Sequence, residues 1–257
     1  MQPIENISAN RYALCMKRLI ALIMLLAAAT AHAERQPEWM LPLREAVLEQ
    51  VLTADQVRPV YLEAVERARS GLSGAERDLA ISRAEHLMGR ALLFEERGAE
   101  AGTHFAEGLR LAEAVAERAP SAEAWVLRGE NLAHLIQTKN WTFAMSNGLD
   151  VAKFANLALE IDGRNAAARY LIAARWVFAP RPFNNFRRGI QMMEAILAED
   201  EVLKDDRFNV TSAIGWAHVQ QRNFGEAIPW LEKALEIYPT NRFAGDLMEN
   251  AKAGRRR

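Results

Sequence analysis

The sequence predicts an all-α protein, a right-handed α-solenoid of about four helix hairpins, and three observations lead to this fold class. The stretch Thr211–Asn241 has the spacing of one complete helix–turn–helix unit, and looser copies of it come earlier in the chain. No segment alternates apolar and polar residues over a length useful for a strand. A chain of 257 residues that is 50% hydrophobic also has ample material for a sizeable core.

The last unit predicts two antiparallel helices that approach closely. Gly215 lies at the expected contact point of the first helix, and Ala227 lies at that of the second. A larger side chain there would push apart helix axes that must come within about 8–10 Å. Asn223 is expected to break the first helix, and Pro239 stops the second because proline disrupts a helix interior.

The region before the repeats predicts two short helices and then a long one. The short helices are expected near Leu43–Val51 and over Pro59–Ser70. Ser73 and Glu76 have capping-box spacing for the long helix, which runs to about Arg97 and forms the first half of the first hairpin.

Two of the upstream units carry segments that the last unit lacks. Lys139–Gly148 is extra in the second unit, and Ala179–Asn185 is extra in the third. Insertions in solenoids usually fall on one face and often serve binding. After Pro239, a C-terminal helix from Asn241 to about Ala253 is expected to cap the open end of the stack.

The last unit resembles the tetratricopeptide repeat (TPR), a unit of about 34 residues with small, aromatic and proline positions at fixed offsets. Thr211 and His218 depart from the large residue and the tyrosine that the family usually has there. The resemblance implies TPR-like hairpins throughout and an interaction protein, because such repeats mostly bind other molecules. The residues that match the repeat are Ile214, Gly215, Ala227, Leu231, Ala234 and Pro239.

The longer layout from about Ala80 to Tyr238 resembles a narrower group. This group comprises the T-component repeat proteins associated with tripartite (TRAP) transporters and the related regulator-of-microtubule-dynamics family. The likeness rests on a glycine four residues after Trp125, on Leu-Glu-Ile before Asp162, and on the run Phe-Ala-Pro-Arg-Pro that precedes Phe183. It implies a periplasmic accessory that binds a solute-binding protein and handles a small ligand.

The N-terminus predicts a cleavable signal peptide. A short positive region beginning at Met16 precedes the apolar run Leu19–Ala29, and a small-x-small cleavage site ends at Ala33. The run is shorter than the roughly 20 residues of a membrane-spanning helix. Met1 and Met16 both remain open as the start. Cys15 precedes the apolar run, so we expect an exported, periplasmic protein that is not a lipoprotein.

The expected domains are therefore a signal peptide over residues 1–33, an N-terminal helical segment over 34–72, and the TPR-like solenoid with its capping helix over 73–257. A net charge of −1 argues against a nucleic-acid protein. No catalytic motif, metal-ligand spacing or cofactor fingerprint is recognisable, so we expect no enzyme, no metal and no cofactor.

The family resemblance implies that the first helix of each unit lines a concave face. The groove candidates carried over in this way are Arg83, His86, Arg90, Phe94, Glu130, His134, Tyr170, Phe178, Trp216 and Gln220. In the functional interpretation, the aromatic residues anchor a partner and the arginines bind a carboxylate. In the alternative, Tyr170, Phe178 and Trp216 simply pack as core. The inserts supply three further candidates, which would close over the groove: Trp141, Phe143 and Phe183.

The leading hypothesis is a non-catalytic periplasmic protein that binds another protein through the concave face. The alternative is a TRAP-transporter-associated accessory that encloses or relays a small apolar or carboxylate ligand. An enzyme ranks third because recognisable catalytic arrangements are missing. The identity of the partner or ligand, the oligomeric state, and whether the inserts fill the concave face all stay open at this stage.

Overall fold

The computed structural model describes residues 37–199 and 202–256, and no β-strand occurs among them. The all-α solenoid prediction is confirmed. The predicted signal peptide and its cleavage site lie outside the described residues. The compact unit Glu38–Arg257 contains a 3-10 turn, Glu38–Met40, and eleven α-helices in its described part. These helices are α1 Leu41–Glu49, α2 Ala54–Gly71, α3 Gly74–Phe94, α4 Gly98–Arg118, α5 Ala122–Gln137, α6 Trp141–Ile161, α7 Ala166–Phe178, α8 Phe186–Leu197, α9 Lys204–Gln220, α10 Phe224–Ile237 and α11 Arg242–Lys252.

Helix α2 begins earlier than predicted. Thr53 and Gln56 form a reciprocal capping box, so the helix starts at Ala54 and Pro59 lies inside it. The capping box predicted at Ser73 is wrong. Ser73 is the N-cap of α3 but its side chain makes no capping hydrogen bond, since Gly74 follows with a left-handed φ of +56°.

Four hairpins follow one another, formed by α3 with α4, α5 with α6, α7 with α8, and α9 with α10. The first helices of successive hairpins also contact one another, so α3, α5, α7 and α9 form a continuous layer, which we call the inner face. Gly215 is a point of closest approach within the last hairpin. A Cβ at that position would lie 2.6 Å from Leu231 Cδ2 of the partner helix. The close contact that the sequence predicts at Gly215 is therefore present.

The two extra segments have different structures. Residues 141–148 form the first two turns of the continuous helix α6, which Asn140 caps by accepting a 3.0 Å hydrogen bond from the amide of Phe143. The extra residues therefore lengthen a helix. Ala179–Asn185 connects α7 to α8 without regular helix, and the amide of Asn185 donates back to the carbonyl of Trp176 at 2.7 Å.

Helix α1 joins the first unit to the last. Leu43 and Val47 pack in the core formed with α2 and α3, whereas Leu48 packs with Phe208 and Tyr238 near the C-terminal end. The carbonyl of Leu48 accepts a 2.7 Å hydrogen bond from Asn241 Nδ2. Two neighbouring contacts extend this junction: Thr240 Oγ1 donates to the Glu49 carbonyl at 2.7 Å, and Gln50 Oε1 accepts from the amides of Arg242 and Phe243. The chain therefore covers part of its own interior with α1.

Candidate functional site

The ten groove candidates lie on the four inner helices. Six belong to α3 and α5: Arg83, His86, Arg90, Phe94, Glu130 and His134. Four belong to α7 and α9: Tyr170, Phe178, Trp216 and Gln220. The first set forms a charged and largely buried cluster. The second set includes an aromatic pair in which Phe178 is exposed and Trp216 is partly buried.

Arg83 is bound within the molecule. Its guanidinium makes a close ion pair with Glu123 and a second one with Glu130 at 2.9 Å, and the residue is only 6% exposed. Burial works to lower the pKa of Arg83, but the two carboxylates outweigh it and hold the pKa above the usual value. The planar fork of this arginine is thus already engaged by carboxylates of α5.

His86 and His134 form an aromatic wall with Phe105. The two imidazole rings meet edge to face at 4.8 Å, and the Phe105 ring lies 5.1 Å from that of His134. Burial, followed by the neighbouring His134, holds the pKa of His86 well below its ordinary value. Burial, followed by Arg90, lowers the pKa of His134 to about 4. Both rings are therefore neutral at pH 7, and His134 Nδ1 donates to the carbonyl of Glu130 at 3.0 Å.

Arg90 differs from Arg83 in its partners. Within the described chain it makes no ion pair or hydrogen bond, and its guanidinium carbon lies 5.9 Å from the centre of the Phe94 ring. Burial lowers the pKa of Arg90, and the charge of Asp205 opposes that effect. Burial also raises the pKa of Tyr170 to about 12, against the influence of Arg90. Arg90 is consequently a cation of the inner face with unused hydrogen-bonding capacity.

The last unit contributes a polar group that sequence reasoning missed. The hydroxyl of Tyr238 donates to Asp205 Oδ1 at 2.6 Å, and Arg44 Nε of α1 lies 3.5 Å from Asp205 Oδ2. Burial and the nearby Asp205 carboxylate raise the pKa of Tyr238 above its ordinary range. No local signal in the sequence pairs Arg44 with Asp205, because the ion pair depends on where α1 lies.

The groove candidates of α7 and α9 include an aromatic pair. The rings of Phe178 and Trp216 lie 4.9 Å apart, and Phe186 lies 6.1 Å from Trp216. Phe178 remains 45% exposed, although it belongs to an inner helix. Nearby along α9, Gln220 Oε1 accepts a 3.2 Å hydrogen bond from Arg256 Nε of the C-terminal tail. Sequence reasoning therefore named the members of this pair but not their degree of exposure.

The three insert candidates are in different environments. Trp141 is 59% exposed and Phe183 is 55% exposed, whereas Phe143 is partly buried against two hydrophobic clusters. No ring contact joins Trp141 or Phe183 to the groove aromatics in the described structure. Their closure over the groove stays a prediction.

Residues 37–199 and 202–256 contain no group of three or more histidine, cysteine, aspartate or glutamate residues that is placed to hold a metal ion. No helix among those residues is long and apolar enough to cross a membrane.

Comparison with known proteins supports the repeat fold. Residues 210–241 match the family model of the tetratricopeptide repeat. The structure is similar to that of TTC0263, a thermophilic TPR protein of Thermus thermophilus, with a TM-score of 0.55 and 15% sequence identity. The match covers 84% of this chain and 98% of that one. No curated protein matches the sequence. The chain therefore has a TPR-type fold, which is typical of proteins that bind other proteins.

Proposed function

We propose that this chain is an exported, non-catalytic binding protein that receives a segment of another protein on the inner face, at Phe178 and Trp216. The observation that carries the proposal is the exposed half of Phe178, whose ring lies tilted against that of Trp216 at 4.9 Å. A large aromatic side chain held in place by another ring binds a partner with little loss of conformational entropy, and such residues dominate interface energies.

The contacts of α1 with the first and last units favour this location. Arg83 is occupied by Glu123 and Glu130, and the junction around Leu48 covers the last unit near Tyr238. The third unit contributes the inner-face aromatic residue with the greatest exposure, Phe178. A partner that binds here does not need to displace α1.

Photo-crosslinking tests the proposed contact. A photoreactive phenylalanine analogue is placed at Phe178 and, as a matched control, at Leu62, an exposed residue of α2. We expect a discrete adduct with one protein in the compartment of origin from position 178 only. Trp216→Ala in the same protein should lower the yield of the adduct, because the side chain at position 178 then loses the ring that holds it in place. Equal adduct patterns from positions 178 and 62 would contradict the proposal.

Export is tested separately. The proposal predicts a mature protein that starts at Glu34, and its intact mass tests this start. Cell fractionation should then recover the protein from the periplasm. A protein that retains the residues before Glu34, or that stays in the cytoplasmic fraction, rules out export by this signal.

A second candidate function is supported by Arg90. This guanidinium has no carboxylate bound to it within the described chain, and Tyr170 lies within its electrostatic influence. Such a pair suits the carboxylate of a small ligand, as in the alternative of a transporter-associated accessory. Native mass spectrometry of the purified protein should then show a bound small molecule that is lost in Arg90→Gln. If the wild-type protein carries no such mass, this candidate is wrong.

A further inference from the structure

Uncompensated positive charge is concentrated in the third unit. The sequence between Asp162 and Glu194 contains no aspartate or glutamate. Arg169 forms an ion pair with Glu199. The remaining arginines of this stretch make no ion pair with any carboxylate in the part of the chain that the structure describes: Arg164, Arg175, Arg181, Arg187 and Arg188. This concentration is notable in a chain whose net charge is −1.

Two of these arginines share one indole. The guanidinium carbon of Arg175 lies 5.0 Å from the centre of the Trp176 ring, and that of Arg188 lies 4.2 Å from it. Close packing of α7 and α8 brings them together. Gly189 lies so near α7 that a Cβ there would be 2.5 Å from Val177 Cγ2. The fold thus places two positive charges around one indole, and neither forms an ion pair within the described chain, an arrangement that favours an anionic ligand.

Arg175 also lines an open cleft beside α6. The cleft is shallow and largely open to solvent, with a volume of about 490 Å³, and its lining includes Leu149, Leu157 and Lys153. Leu149 is 66% exposed and continues a stripe of exposed apolar residues at positions 141, 145 and 149 of α6. Apolar side chains of α6 therefore lie next to the positive charge of Arg175 in this cleft.

We propose that this cleft and the Arg175–Trp176–Arg188 group together bind an acidic segment of a partner protein, with an apolar side chain next to its carboxylates. The apolar side chain packs on Leu149 and Leu157, while the carboxylates bind the two guanidiniums and Lys153. Glu160 also lines the cleft, seven residues or about 10 Å along α6 from Lys153. Its charge directs the acidic end of the segment toward Arg175.

The placement of charge favours a polypeptide over an anionic lipid surface. Glu160 lines the same cleft as Lys153 and Arg175. An acidic peptide can keep its carboxylates away from Glu160, whereas a layer of anionic headgroups would meet all three charges. The site takes its apolar side from α6 and includes neither Phe178 nor Trp216. The variants that test it leave both of those residues unchanged, so its failure is distinguishable from failure of the proposed contact at Phe178.

Fluorescence anisotropy with a synthetic probe tests the site. The probe is a labelled peptide with paired glutamates on either side of a leucine–phenylalanine pair, and the comparison peptide has glutamine in place of every glutamate. We expect the acidic probe to bind the full chain at low salt and to dissociate as salt screens the contact. If both peptides bind equally, the charge recognition is refuted.

Matched variants locate the contact. The double variant R175E/R188E should weaken binding of the acidic probe by about tenfold or more, because each charged contact is lost and replaced by repulsion. R164E/R255E makes the same change in net charge at two other exposed arginines and should alter binding by less than about twofold. If both double variants lose the same affinity for the acidic probe, only the net charge of the protein matters and the proposed site is wrong.

The apolar contact at Leu149 is tested in the same way. Leu149→Gln should weaken binding, whereas Leu62→Gln, at a comparably exposed leucine of α2, should not. Both residues are exposed, so circular dichroism and thermal unfolding should match the wild type. Vesicles of phosphatidylglycerol serve as the competing ligand. If they bind through Arg175 and Arg188 while the acidic probe does not, the surface recognises lipid and the proposal is wrong.

Discussion

At the scale of single residues, two arginines of α3 differ in their partners. Arg83 and Arg90 lie seven positions and thus about two turns apart on this helix. Arg83 forms ion pairs with two carboxylates, whereas Arg90 makes no ion pair within the described chain and lies near the Phe94 ring. We therefore expect Arg83 to contribute mainly to stability, and Arg90 is the residue on which the proposed ligand-binding alternative rests.

Removing Arg83 should be strongly destabilising. Arg83→Met leaves Glu123 and Glu130 as unpaired, largely buried carboxylates, and breaking such a pair costs about 3–5 kcal/mol. Urea unfolding measures the loss. The exposed pair of Arg67 with Glu63 is the control, and Arg67→Met should change the free energy of unfolding by less than about 1 kcal/mol. Similar losses in both variants would refute the structural role of Arg83.

The buried histidines predict a pH dependence. The pKa of His134 is depressed from 6.5 to about 4, so the unfolded chain binds a proton before the folded one does. The contribution of His134 to the free energy of unfolding is fully present above pH 6.5. It is lost as the pH decreases toward 4, by an amount on the order of 3 kcal/mol. His134→Phe keeps an aromatic ring beside Phe105. The free energy of unfolding of this variant, measured by urea unfolding, should depend less on pH between 6.5 and 4.5 than that of the wild type. An unchanged slope in this variant would contradict the assignment.

At the scale of elements, glycine positions decide how closely paired helices approach. Gly215 faces Leu231 so closely that Gly215→Ala should cost about 1–3 kcal/mol through overpacking. Gly225, in the first turn of α10, has open space around its Cα and is the control. Gly225→Ala should be neutral or slightly stabilising, since alanine favours helix. Thermal unfolding of the two variants checks the contrast, and a destabilised Gly225→Ala would argue against this explanation.

At the scale of the whole molecule, α1 connects the first unit with the last. Helical repeats normally contact only their neighbours, so stability is a sum of local contributions. Here Leu48 joins Phe208, Tyr238 and Ala244 in one cluster. This long-range contact should make the described repeats unfold more cooperatively than a linear array does.

Truncating Leu48 tests that connection. Leu48→Ala removes a fully buried side chain and should cost about 2–5 kcal/mol in urea unfolding. Hydrogen exchange should also increase in α9 and α11, far from the substitution in sequence. Leu52→Ala, at an exposed leucine of the following connection, serves as the control and should have little effect. If exchange increases only in α1 and α2, the connection does not stabilise the last unit.

The sequence by itself determined the helical hairpins, because their signals are local. The glycine at 215 and the proline at 239 act on residues within about one repeat of themselves. The groove candidates could be named because the resemblance to the tetratricopeptide repeat implies which helix of each unit lines the concave face.

Only the tertiary structure decided which of those candidates are available. The hydrogen bond from Asn241 to the Leu48 carbonyl joins residues 193 positions apart, and no local pattern records such a contact. The burial of Arg83, the unused guanidinium of Arg90 and the exposure of Phe178 all depend on how the helices are stacked. Spacing along one helix determines which face a side chain lies on, but the elements packed against that face determine whether a partner can reach it.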